Sequence, residues 1–191
     1  MPVDSRTRLP LLAALLGLAV GAQGAGDLER RAAEAVAAHR LVEARGLYRT
    51  LAAQEPAALR HQVWVGRLSS WLGDYPGASA AFDRVLARDA DNVEALVGKA
   101  YVAMWQDRFA EADALLGRAA AVSPDDAEVQ LALARNYHFQ GRDRDAARHV
   151  EHVLALDPGR SEAQELQRRL ALAPARPGFL ARLKRILTGR S

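Results

Sequence analysis

Residues Trp71 to Leu86 read WLGDYPGASAAFDRVL. The string closes one helix, turns at Gly73-Asp74, and opens a second helix with Tyr75-Pro76. Proline fits a helix's first turn, where its missing N–H leaves nothing unpaired. Thirty-four residues later the chain runs WQDRFAEADALLGRAA from Trp105 to Ala120, and thirty-four later FQGRDRDAARHVEHVL from Phe139 to Leu154. A fixed period of this size marks an array of helical repeats before any single residue is weighed.

With Gly73 as the fifteenth residue of a unit, the frame gives units 25–58, 59–92, 93–126 and 127–160 with nothing inserted or lost. Position 8 is Ala32, Gly66, Ala100 and Ala134, and position 20 is Ala44, Ala78, Ala112 and Ala146. Small residues at both places predict close crossings between paired helices. Position 24 is Tyr48, Phe82, Leu116 and Val150, and position 27 is Leu51, Val85, Ala119 and Val153. These predict one apolar stripe along each second helix. Position 32 is Pro56, Ala90, Pro124 and Pro158, where proline ends the second helix.

Period and pattern together resemble the tetratricopeptide repeat (TPR) family over residues 25–160. Position 4, where that family often carries Trp, is Leu28, Gln62, Leu96 and Gln130 here, and only Tyr137 matches the family's Tyr at position 11. The resemblance implies an all-α fold, a right-handed α-solenoid of four helix-turn-helix units. A polar capping helix is expected over 161–172, then a Pro-rich break at 173–177 and a short amphipathic tail helix at 178–191.

The resemblance also implies that positions 2, 5, 9, 12 and 13 of each first helix face a concave groove. On this chain they include Arg60, Val63, Arg67 and Trp71 in the second unit. The third unit supplies Val97, Tyr101, Met104 and Trp105, and the fourth Leu131, Arg135, His138 and Phe139. Two ladders result, Trp71–Trp105–Phe139 and Arg67–Tyr101–Arg135. Large aromatics and Arg are the side chains from which binding hot spots are made. The aromatics stand just before the turn, so packing against the following helix is the competing use. Such a groove suits a partner's peptide segment or helix with apolar anchors and acidic groups. The Lys and Asn ladder of chaperone-binding TPR domains is not reproduced, so a chaperone C-terminus is not the expected ligand.

Composition narrows the function further. The chain has no cysteine, which excludes disulfides, thiolate metal sites and a cysteine nucleophile. The net charge of +3 comes from the ends, since residues 176–191 carry five basic groups and no acid. The repeats themselves are net acidic, which argues against nucleic-acid binding. His149 and His152 stand three apart without a third ligand in the pattern and read as two solvated histidines. No Ser–His–Asp grouping and no phosphate-binding glycine loop is present. The expectation is a non-enzymatic interaction scaffold without cofactor or metal.

Arg6 and Arg8, the apolar run Leu9 to Val20, and the small residues after it have the shape of a secretory signal over 1–24. An uncleaved N-terminal anchor is the alternative. Signal and repeats together suggest a bacterial envelope protein, most simply periplasmic. In the tail, Phe179, Leu180, Leu183, Ile186 and Leu187 fall on one helical face, with Arg182, Lys184 and Arg185 opposite. This pattern gives the alternative function, a peripheral adaptor docking to anionic lipid. Oligomeric state has no signature in the sequence.

Overall fold

The computed structural model describes residues 24–172. Residues 1–23 of the proposed signal segment, the break at 173–177 and the tail from Phe179 to Leu187 lie outside the described residues. Among the described residues all regular structure is helical. Helix α1 is described over 24–37. It is followed by α2 (Leu41–Gln54), α3 (Leu59–Trp71), α4 (Tyr75–Leu86) and α5 (Val93–Trp105). Then come α6 (Phe109–Val122), α7 (Ala127–Phe139), α8 (Asp143–Leu156) and α9 (Ser161–Leu172). None of these helices is long and apolar enough to cross a membrane.

One device ends the first helix of every repeat. Position 15 is left-handed in all four, at His39 (φ 54°), Gly73 (75°), Asp107 (57°) and Gly141 (75°). Its N–H reaches back to the carbonyl of position 12, as in Gly73 to Ser70 at 3.0 Å and Gly141 to His138 at 2.9 Å. The next N–H reaches position 11, as in Asp74 to Ser69 at 2.9 Å and Arg142 to Tyr137 at 2.8 Å. This paired closure satisfies carbonyls that the helix end would otherwise orphan. The second helix then starts at once. At α4 the Asp74 carboxylate accepts from Gly77 N–H at 3.0 Å, with Pro76 in the first turn. At α7, Asp126 accepts from Glu128 and Val129 N–H.

The chain divides into two compact units, one ending at Val102 and the other beginning at Ala103, within α5. In the first unit α2 packs on α3 and α3 on α4. Its core holds Ala32, Ala44, Tyr48, Leu51 and Leu68 in one cluster, and Val63, Ala78, Phe82, Val85 and Val102 in another. Gly66 and Gly98 flank the Phe82 ring, and a Cβ at Gly66 would lie 2.6 Å from it. In the second unit α7 packs on α8 and α8 on α9, around Leu131, Ala134, Val150, Val153 and Leu166. Every alanine at positions 8 and 20 is fully buried, and the stripe at positions 24 and 27 is at most 4% exposed. Burying such side chains supplies about 1.5–3 kcal/mol for each large one, which a lone helix cannot obtain.

Candidate peptide-binding faces

The helical register separates the groove positions into two stripes. Positions 2, 9 and 13 are spaced by seven and four, so they share one line on a helix. Positions 5 and 12 lie on a neighbouring line rotated toward the core. The structure divides the residues accordingly. Val63, Val97, Met104 and Leu131 are 2, 5, 3 and 0% exposed. These four were expected to face a ligand; they are core residues, and Val63 and Leu131 pack against the second helices α4 and α8. Trp71, Trp105 and Phe139 at position 13 are 50, 44 and 52% exposed. Arg60 is exposed, while Arg67, Tyr101, Arg135 and His138 are partly exposed.

In the first unit the arginines of this face are engaged. Arg67 donates to Glu94 at 3.2 Å, and Arg60 donates to Glu29 at 3.2 Å with Glu55 3.6 Å away. A ligand carboxylate must therefore displace a glutamate. Trp64 is a residue the groove positions did not include. Its ring stacks on Tyr48 at 5.3 Å, meets Trp71 edge-on at 6.2 Å, and lies under the Arg67 guanidinium at 5.5 Å. It anchors Trp71 and Arg67 from beneath, at a position where only the repeat 59–92 has an aromatic.

The second unit holds a defined cleft of about 530 Å³ between α7 and α9. Arg135, His138 and Phe139 line it from α7. From α9 come Leu166 on the floor and Glu162, Glu165, Arg168 and Arg169 on the rim. Glu165 accepts from Arg169 and Arg168, each at 2.9 Å, and the Arg169 contact above all holds its carboxyl below the usual range. His138 Nδ1 is 2.7 Å from Asp143 Oδ1, which fixes the ring beside Phe139. The α9 residues were read only as a polar cap. The same frame, run one unit further, puts Glu162, Glu165 and Arg169 at positions 2, 5 and 9, and would have found them.

The histidine pair of α8 is not simply solvated. His149 stacks on Tyr137 at 5.3 Å and meets Gln130 Oε1 through Nδ1 at 2.6 Å, while His152 pairs with Asp125 at 2.9 Å. Among the described residues no cluster of three or more His, Cys, Asp or Glu side chains is arranged to hold a metal ion.

The tetratricopeptide repeat model matches residues 72–129 and 103–170, together more than half of the chain. The chain belongs to the tetratricopeptide repeat family. Its α-solenoid architecture agrees with solved TPR structures. A thermophilic TPR protein of Thermus thermophilus, TTC0263, superposes with a TM-score of 0.70 at 21% identity, covering 78% of this chain and 81% of that one. The first TPR of Spaghetti (RPAP3), solved bound to the HSP90 peptide SRMEEVD, gives 0.55 at 18% identity, covering 59% and 90%. In sequence, the Protein CTR9 homolog of Arabidopsis thaliana is 37% identical over 104 residues, 53% of this chain. The match spans only 10% of that protein's length.

Proposed function

We propose that this TPR chain is a non-enzymatic interaction scaffold that seats a peptide segment or helix of a partner protein. The principal seat is the α7–α9 cleft of the second unit. The observation that carries this reading is Phe139. A large aromatic is kept 52% exposed beside a cleft whose floor is apolar and whose rim is charged. Exposed aromatics of this kind bury much area on contact and serve as anchors. Trp71 of the first compact unit offers a second anchor. The partner's apolar side chains meet these rings, and its carboxylates exchange with the glutamates that now hold the arginines. The RPAP3 structure with its HSP90 peptide supports peptide capture as a use of this fold. This chain's cleft, built from Arg, Phe and Glu, calls for a different peptide. We place the partner in the bacterial envelope, most simply the periplasm, on the strength of the pattern over 1–24.

The test is in-cell crosslinking capture with the full chain, beside an Arg135→Ala/Phe139→Ala variant of unchanged helicity. A partner captured by the parent and lost by the variant is expected. A partner kept by the variant removes the cleft from the function.

A further inference from the structure

A depression of about 480 Å³ lies on the first unit between α2 and α4, over α3. It is separate from the stripe that carries Trp71 and Arg67. Ala52 of α2 and Gly77 and Ala80 of α4 line it, with Val65 and Gln62 of α3 beneath. Arg49 and Arg84 stand on its two sides. A second depression of about 370 Å³ adjoins it and shares Ala52, Gln62 and Arg84. The two together form an elongated groove rather than a single hole.

The repeat provides an internal control. Two units later the same register positions are Gln130, Asp145, Arg148 and His152, and they border the equivalent place on α7 and α8. There a depression of about 440 Å³ remains, but its polar lining is paired within the chain. The Gln130 amide donates to the Pro124 carbonyl and meets His149, which stacks on Tyr137. Asp145 draws in Arg142 at 2.9 Å and Arg148 at 2.6 Å. In the first compact unit Gly77 and Ala80 replace Asp145 and Arg148, so no carboxylate lines the depression beside Arg49 and Arg84. Gln62 makes no hydrogen bond among the described residues, and Arg49 and Arg84 pair with no carboxylate among them. No Asp or Glu lines either depression.

We infer that this groove is a docking surface for an acidic helix of a partner protein. The helix would insert one large apolar side chain over Val65 between Ala52 and Ala80, and set carboxylates against Arg49 and Arg84. Small residues on both walls let a helix approach closely, and a groove between two helices is a natural seat for a third. Two guanidinium groups without a carboxylate, either side of a floor of Val65 and Gln62, favour charge-assisted contacts to an acidic ligand. Arg88 is not part of this pair, since it donates to the Pro56 carbonyl. The inference uses no residue of the α7–α9 cleft and stands apart from the proposed peptide seat.

The probe is a display library of helical 20-residue peptides, selected on the full chain. Enriched peptides are then measured by fluorescence anisotropy. Sequences of net negative charge with one bulky apolar residue on the same face are expected. They should bind at least roughly tenfold more weakly to Gln62→Trp, which fills the groove, and to the surface variant Arg49→Glu/Arg84→Glu. Phe139→Ala should leave their affinity unchanged. A selection that enriches nothing, or only neutral or basic peptides, overturns the inference. So does binding that survives the charge reversal or that falls with Phe139→Ala.

Discussion

Replacing the residue at position 15 tests whether the four inter-helix turns are one device. The backbone there is left-handed whether the side chain is His39, Gly73, Asp107 or Gly141, with φ between 54° and 75°. An L-residue in this region costs about 1–2 kcal/mol, and glycine costs nothing sterically. Glycine also loosens the unfolded chain, which offsets about 0.4–1 kcal/mol of the relief. His39→Gly and Asp107→Gly should therefore stabilise by about 0.5–1 kcal/mol each. Gly73→Ala and Gly141→Ala should each cost about 1 kcal/mol, since Ala must take up the strain. The backbone bonds that close the turn are made by N–H and C=O groups, so none of the four changes removes one. The assay is urea denaturation followed by circular dichroism, comparing midpoints at constant slope. Opposite signs for the two pairs are required. If His39→Gly and Asp107→Gly both destabilise, side chain rather than backbone holds those turns, and the common closure is wrong.

Three further outcomes follow from packing and charge. Gly66→Ala should cost about 1 kcal/mol, because overpacking against the Phe82 ring outweighs the gain in helix propensity. In a Phe82→Leu background the same change should be neutral or stabilising, measured as a double-mutant cycle. Asn136 is fully buried and donates to Asp113 at 2.5 Å, so Asn136→Asp sets two carboxylates together and should lower stability by about 3 kcal/mol in the same assay. Burial, then His152 and Arg148, push the His149 imidazole below its ordinary value. Its neutral form is favoured by folding, so this contribution is present above about pH 6.5 and is lost as pH falls toward the folded value. His149→Asn keeps a donor for Gln130 but does not titrate. Its urea midpoint should fall less than the parent's between pH 7.5 and pH 5.5.

Periodicity made the fold legible because burial repeats when geometry repeats. Positions 8, 20, 24 and 27 could be assigned to the core from four aligned residues each, and no neighbour had to be known. Position 13 was legible as a place but not as an environment; in the fold Trp71, Trp105 and Phe139 are half exposed. Position 5 failed because a residue one stripe away from the groove line turns toward the core, where Val63 and Leu131 meet the paired helix and Val97 is buried as well. Ion pairs were invisible for a different cause. Arg67 finds its glutamate 27 residues away and Arg60 finds Glu29 at a distance of 31. Neither separation equals the repeat, so no column of aligned residues reveals them. Gln62 and Gln130 make the same point most sharply. They are identical residues at one register position, yet Gln62 makes no hydrogen bond among the described residues while Gln130 bonds the Pro124 carbonyl and meets His149. The difference is set by what positions 19, 22 and 23 carry, Gly77, Ala80 and Ala81 against Asp145, Arg148 and His149. A repeat therefore specifies where a side chain stands, while the polarity and charge of its neighbours decide whether its polar groups are paired within the chain.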